Sequence, residues 1–138
     1  MGKSCLRTLS SFTFPLSSNT IIPMPSLTIH TNIHFGGMGV SSLMEDLTDL
    51  TAELLDKPKD FIMVRLEHKS QLRFAGHDDP AAFVELISLG LPDDAPARLT
   101  ARYTEFLQEK LSIRPDRMYF YFPQVPRTHF GWNGKTFG

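Results

Sequence analysis

The residues after Met24 repeat one pattern, strand–helix–strand, and this repeat restricts the fold more than any other feature of the chain. Each unit begins with a proline, Pro25 or Pro80, followed by a strand pattern. The closing strands follow Lys57-Pro58 and Arg114-Pro115. Helices long enough to cross over join parallel strands, and such connections are right-handed. We therefore predict an α/β (α+β) domain with a four-stranded mixed sheet and two helices on one face.

Hydrophobic periodicity gives the approximate bounds of these elements. In chain order they are strand Ser26–Asn32, helix Ser41–Asp56, strand Phe61–Lys69, a short extra strand Gln71–Gly76, strand Ala81–Ser88, a second helix opening at Asp93 or Asp94 with Pro96 in its first turn, and strand Met118–Phe122. Ser41 or Ser42 is predicted to cap the first helix, with Glu45 and Asp46 in its first turn.

One face of the predicted sheet is left uncovered. Alternation in the second strand places Met63, Arg65 and Glu67 on the side away from the helices. A bare, partly apolar face favours association with further copies of the chain. Trimer formation would close such faces against each other.

Composition excludes several classes of function. The chain has 138 residues, 41% of them hydrophobic, and a net charge of -1, which gives no electrostatic reason to expect nucleic acid or an anionic membrane as partner. The single cysteine, Cys5, excludes an internal disulfide. The five histidines are dispersed and lack metal-ligand spacing, so we expect neither a metal nor another cofactor.

Residues 1–24 differ from the predicted domain, which spans residues 25–138. The segment is basic and rich in serine and threonine, and the first acidic residue of the chain is Glu45. This composition is typical of an organelle-targeting presequence. Two alternatives stay open: Met24 is the true initiator, which predicts a cytoplasmic protein, or the extension is retained. A secretory signal fits poorly, although the sequence does not exclude secretion.

Pro25 can act as a general base only if it is the first residue of the mature protein. Its nitrogen would then be a free secondary amine, whereas after Met24 it is a tertiary amide without useful basicity. Burial and a neighbouring ammonium, such as that of Lys57, lower an amine pKa toward neutrality, where a general base works best. The alternative interpretation is a proline that merely begins a strand.

Six motifs in order give the chain a resemblance to the family of macrophage migration inhibitory factor and D-dopachrome tautomerase. They are Met24-Pro25 with Thr31-Asn32, Lys57-Pro58, Asp79-Pro80, Ser88-Leu89-Gly90, Pro115-Asp116-Arg117 with Tyr119, and Gly131-Trp132-Asn133-Gly134 with Thr136-Phe137. The resemblance implies the tautomerase fold, a homotrimer and cofactor-independent keto–enol tautomerase activity on phenylpyruvate-type keto acids or dopachrome derivatives.

The same resemblance implies roles for five residues. Pro25 corresponds to the catalytic base and Lys57 to the lysine that meets the substrate carboxylate. Leu89 stands where a backbone N–H binds the ligand, and Tyr119 matches an aromatic residue reached from the neighbouring subunit. Tyr121 replaces an asparagine of the family pocket, which puts substrate choice in doubt. Ala81–Val84 replaces the Cys-x-x-Cys motif, so thiol oxidoreductase activity is not expected.

Two main functions follow from these observations. The first is a tautomerase that uses Pro25 as its base. The second is a non-catalytic, cytokine-like trimer that binds an unidentified protein receptor, which gains weight if residues 1–24 are retained. A third, weaker hypothesis is a related activity on another unsaturated acid, since a fold does not fix chemistry.

Overall fold

A computed structural model of the chain describes residues 24–138. The extension before Met24, including Cys5, lies outside the described residues. In chain order the main elements are β1 (Ser26–Thr31), α1 (Val40–Leu55), β2 (Met63–His68), β3 (Ala82–Ile87), α2 (Ala95–Leu111), β4 (Met118–Tyr121), β5 (Gly131–Trp132) and β6 (Lys135–Thr136).

Strands β1 to β4 form one sheet in the order β2-β1-β3-β4. Strand β1 is parallel to β2 and antiparallel to β3, while β3 is parallel to β4. Each strand–helix–strand unit therefore contributes one parallel pair, and the two units meet at the antiparallel β1–β3 pair. The prediction of a four-stranded mixed sheet is confirmed.

The hydrophobic core fills the space between one sheet face and the two helices. Alternate residues of β1 and β3, such as Leu27, Ile29 and Val84, pack with the helix residues Leu47 and Leu99 in a single buried cluster. These side chains follow the two-residue period of the strands and the 3.6-residue period of the helices. The prediction that both helices cover the same face is confirmed.

A buried hydrogen bond joins the two helices inside this core. The hydroxyl groups of Thr51 on α1 and Tyr103 on α2 lie 2.7 Å apart, and both residues are fully buried. Thr51 also contacts the Leu47 carbonyl at 2.8 Å. Burial raises the pKa of Tyr103 to about 12, because the phenolate would be charged in an apolar environment.

This pair gives a test of the core. Thr51→Val should lower the free energy of unfolding by about 1–3 kcal/mol, since it leaves the Tyr103 hydroxyl buried without a partner. Tyr103→Phe should cost only about 1 kcal/mol, and the double variant should recover part of the Thr51→Val loss. Urea denaturation of the three variants measures these differences. A Thr51→Val cost no larger than that of Tyr103→Phe would contradict the argument.

The helix starts differ from the sequence predictions. The N-cap of α1 is Gly39, so Ser41 and Ser42 lie inside the helix and neither caps it, and no acidic residue falls in the first turn. Asp94 is the N-cap of α2, as one of the two alternatives had it, but its side chain makes no capping hydrogen bond. Pro96 does lie in the first turn of α2. Helix α1 begins at Val40, one residue before the predicted start at Ser41, because the last glycine of the preceding loop is itself the N-cap.

The extra strand predicted at Gln71–Gly76 is wrong. Only an isolated bridge joins Phe74 to His77 there, because Ala75 and Gly76 have positive φ values of 56° and 81° and turn the chain back. Strand β2 begins at Met63 rather than Phe61, since a short 3-10 helix occupies Lys59–Phe61.

The face of the sheet away from the helices is open, as predicted. Large apolar or aromatic side chains on this surface are strongly exposed, among them Met63 at 59%, Tyr119 at 63% and Tyr121 at 52%. Arg65 on the same face donates to the Thr28 hydroxyl at 3.1 Å. Among the helices of residues 24–138, none is long and apolar enough to cross a membrane.

Candidate active site

Pro25 lies at the start of the central strand β1, at the end of the sheet where β1 and β2 begin and β3 finishes. Its carbonyl accepts a hydrogen bond from the Met63 N–H at 3.0 Å, and Ser26 is in register with Met63 and Ile87. Strands on both sides therefore fix the position of Pro25. The residue is buried and lines a cavity of about 350 Å³.

The cavity at Pro25 has aromatic and apolar walls. Phe61 and Trp132 both line it, and their rings meet edge-to-face with centroids 5.6 Å apart. Phe137 stacks on Trp132 at 6.5 Å, which joins the C-terminal β5–β6 hairpin to this wall. Met24 is 6% exposed and lines the same cavity. The arrangement suits a flat, apolar group next to the Pro25 nitrogen.

Sequence reasoning did not single out Asp60, Phe61 or Phe130 as residues of this cavity. The 3-10 turn after Lys57-Pro58 places Asp60 and Phe61 in the same cavity wall as Pro25. The sequence around these residues has no pattern that predicts this contact. Trp132 carried part of the family motif, but its position near Pro25 depends on the path of the C-terminal segment. If Pro25 carried a free amine, the Asp60 carboxylate would stabilise its protonated form, whereas a nearby ammonium would stabilise its neutral form.

Lys57 and the segment around Leu89 lie at the same end of the sheet but line a different cavity. Lys57 follows α1, and Leu89 follows β3. Lys57 shares a cavity of about 260 Å³ with Ser88 and Gly90, the two neighbours of Leu89. The structure thus brings Lys57 close to the Leu89 turn, whereas Pro25 lines the neighbouring aromatic cavity.

Tyr119 and Tyr121 are separated from Pro25 within one chain. Both lie on β4, an edge strand on the far side of β3 from β1, and pair with Phe83 and Glu85. Tyr119 contacts the Phe74 ring at a centroid distance of 4.8 Å and otherwise points to solvent. A single chain therefore does not unite these tyrosines with the Pro25 cavity.

The loop from Leu72 to Ala81 positions Phe74 against Tyr119, and the side chains of Asn32 and Arg117 hold it. The Asn32 amide donates to the carbonyls of Leu72, Asp78 and Asp79 and accepts from the Ala81 N–H. Arg117 approaches from the other side. It is 4% exposed and donates to several carbonyls of the loop at 2.9–3.2 Å.

The histidines form small local contacts instead of a metal centre. His34 and His68 stack edge-to-face at 5.2 Å, and His30 lies 3.6 Å from Glu67. Within residues 24–138, no group of three histidine, cysteine or carboxylate side chains has the geometry of a metal site.

Two parallel strand pairs joined antiparallel, with both helices on one face and a proline at the head of the central strand, define a tautomerase-fold protein. The sequence model described as "Macrophage migration inhibitory factor (MIF)" matches residues 24–138. The chain belongs to this family.

Individual relatives agree with the assignment. The chain is 34% identical over 115 residues to a macrophage migration inhibitory factor homolog of Trichinella spiralis, covering 83% of this chain and all of the relative. It superimposes on the crystal structure of a homologue from Prochlorococcus marinus with a TM-score of 0.76 at 31% identity, covering 82% of this chain and 99% of that one. The Trichinella spiralis structure gives a TM-score of 0.75 at 32% identity, with 81% and 99% coverage.

Proposed function

We propose that this protein is a cofactor-independent keto–enol tautomerase that uses Pro25, as the first residue of the mature chain, for proton transfer. The observation that carries the proposal is the position of Pro25: buried, held by strands on both sides and facing an aromatic cavity. A rigid ring with a fixed lone pair, next to a site for a flat substrate, meets the geometric need of a general base.

The reaction follows from what such a base can do. The neutral amine of Pro25 takes a proton from the carbon next to the ketone, and the electron pair of that C–H bond moves into an enolate. Returning the proton to oxygen completes the enol, and the reverse order regenerates the ketone. Lys57 and the Leu89 N–H would hold the acid group and stabilise the negative charge of the enolate. The aromatic walls favour an aryl keto acid such as phenylpyruvate.

The complete site requires more than one copy of the chain. Tyr119 and Tyr121 are exposed on the edge strand β4, together with a partly apolar open face. We infer that three copies associate through these surfaces and that Tyr119 and Tyr121 of one copy complete the cavity of the next. Tyr121 occupies more volume than the asparagine it replaces, so it would restrict the far end of the substrate pocket.

The function also requires that residues 1–24 be absent from the active protein, leaving the domain 25–138. Removal of an initiator Met24 would leave the enzyme in the cytoplasm, whereas processing of a presequence would place it in an organelle. The competing function is a non-catalytic interaction trimer, which gains weight if Pro25 stays joined to Met24 in the native protein. The intact mass of the native protein decides between them.

Replacement of Pro25 tests the identity of the base. Protein beginning at Pro25 should interconvert enol and keto phenylpyruvate, and Pro25→Gly should lower kcat/KM by about 10²-fold or more, since the base is lost from its fixed position. Ultraviolet absorbance of the enol follows the reaction directly. Ser26→Ala, which also alters the cavity wall but keeps the proline, serves as the control. Equal activity of Pro25→Gly and the parent protein would identify another base.

A further inference from the structure

The cavity beside Pro25, which we call the Pro25 cavity, contains a charged side chain among apolar ones. Of the described residues that line it, Asp60 alone is charged, and the rest of the wall is largely aromatic or apolar. Asp60 lies in the short 3-10 helix Lys59–Phe61 and is exposed. The Pro25 cavity therefore presents one negative charge next to aromatic rings.

No cation of the described chain pairs with Asp60. The neighbouring Lys59 is paired with Asp49 of α1 at 2.7 Å, and none of the ion pairs within residues 24–138 includes Asp60. While Met24 is retained, the Pro25 nitrogen is an uncharged amide and offers no counter-charge either. The Asp60 carboxylate is consequently available to a ligand.

The rings of the cavity wall suit a cation as well as a flat apolar group. Phe61 and Trp132 meet edge-to-face at 5.6 Å, and Trp132 is 42% exposed, so part of its surface is open to a ligand. An ammonium group close to an aromatic face is attracted by the π electrons, most strongly by those of tryptophan. A carboxylate is instead repelled by Asp60. The wall thus discriminates among aromatic ligands by their charge.

We propose that the Pro25 cavity selects aromatic ligands that carry a protonated amino group, and that Asp60 is the residue that determines this specificity. The aryl ring of the ligand packs among Phe61, Phe130 and Trp132, and its ammonium group donates a charge-assisted hydrogen bond to the Asp60 carboxylate. The cavity volume of about 350 Å³ lies in the range of small-molecule sites. Arylalkylamines are the simplest ligands of this class.

As a statement about the substrate, this inference rests on the tautomerase function proposed above. It adds that the preferred aryl keto acid carries a basic group on its ring, which lies near Asp60. Binding of an amine does not require Pro25 to act as a base, so the binding preference can be measured without any turnover.

The test of binding uses the fluorescence of Trp132, the single tryptophan of the chain, in the full-length protein. Phenethylamine, phenethyl alcohol and phenylacetate have comparable size and are cationic, neutral and anionic. We expect the amine to bind about fivefold more tightly than the alcohol, and phenylacetate to bind more weakly than either, because an exposed ion pair and a cation–π contact each stabilise the complex modestly. Added salt should reduce the preference for the amine.

Replacement of Asp60 shows whether its charge causes the preference. In Asp60→Asn the amine should bind within about twofold of the alcohol, and the melting temperature should not change, since Asp60 joins no ion pair of the described chain. Asp116→Asn removes an exposed carboxylate outside the cavity and is the matched control, which should keep the preference of the parent. Equal binding of amine and alcohol by the parent protein, or an unchanged preference in Asp60→Asn, would overturn the inference.

A turnover assay separates the substrate preference from the identity of the base. In protein that begins at Pro25, phenylpyruvate with an aminomethyl group on its ring should have a higher kcat/KM than phenylpyruvate itself, and Asp60→Asn should remove the difference. Equal kcat/KM values for the two keto acids in the parent would reject the role of Asp60 in substrate choice. Absence of turnover with both would reject the tautomerase function, while a fluorescence preference for the amine that depends on Asp60 would still support the cation site.

Discussion

Protein that begins at Pro25 is expected to isomerise phenylpyruvate at least about a hundred times faster than protein that retains Met24. General base catalysis by a positioned group contributes roughly 10²–10⁴-fold to a rate. An amide nitrogen cannot accept the proton, so the retained methionine removes this contribution completely. Met24 is also buried in the wall of the same cavity, where it takes space that a substrate would need.

The comparison needs two preparations of known amino terminus, verified by intact mass. Methionine aminopeptidase treatment of the Met24 form supplies the control, because exposing Pro25 in the same sample should restore activity. Circular dichroism before and after treatment shows whether the fold is unchanged. Equal rates for the two forms would contradict the role of the Pro25 nitrogen and favour the interaction protein instead.

The repeat at Pro25 and Pro80 was sufficient to predict the sheet because the pattern of each strand depends on burial. Leu27 and Ile29 alternate with polar residues, and the helices carry matching apolar stripes. Such periodicity reflects packing of whole elements, so it survives errors in their ends. The four strands and the first helix were therefore predicted to within about two residues at each end, as was the start of the second helix.

The start of α1 and the structure of the loop after β2 were harder to predict, because both depend on hydrogen bonds that the local sequence pattern does not show. Ser41 and Ser42 looked like caps, yet the Gly39 carbonyl accepts the first helical bond from Leu43 at 3.0 Å. The residues at Gln71–Gly76 looked like a strand, but their carbonyls are bound by Asn32 and Arg117, which are distant in sequence. Long-range hydrogen bonds of this kind leave no periodic signal.

Candidate residues of the site could be named from the sequence, but the walls of its cavity could not. Pro25 and Lys57 were singled out by residue type and motif, and the structure places both at one end of the sheet. The Phe61–Trp132 contact joins segments about 70 residues apart, so only the folded chain reveals it. The sequence pattern likewise did not show that Pro25 and Lys57 line two different cavities.

Among substitutions that affect the loop from Leu72 to Ala81, replacement of Arg117 should have the largest effect on stability. Its guanidinium is 4% exposed and donates to the carbonyls of Phe74, His77, Asp79 and Pro80. It also lies 5.5 Å above the centroid of the Phe74 ring. Arg117→Met removes these four hydrogen bonds from the loop, and we expect the free energy of unfolding to fall by about 3–5 kcal/mol.

Urea denaturation of Arg117→Met and of Arg73→Gln makes the comparison specific. Arg73 lies in the loop that Arg117 holds and contacts Asp78 at 2.7 Å, but both side chains are well exposed. Its loss removes the same charge and should cost no more than about 0.5 kcal/mol. Arg117→Lys should recover little stability, because one ammonium cannot reproduce a planar fork that spans several acceptors. Because Phe74 packs on Tyr119, the Arg117→Met variant should also form less of the proposed trimer. If the free energy of unfolding fell by less than about 1 kcal/mol and assembly were unchanged, Asn32 alone would be sufficient to hold the loop.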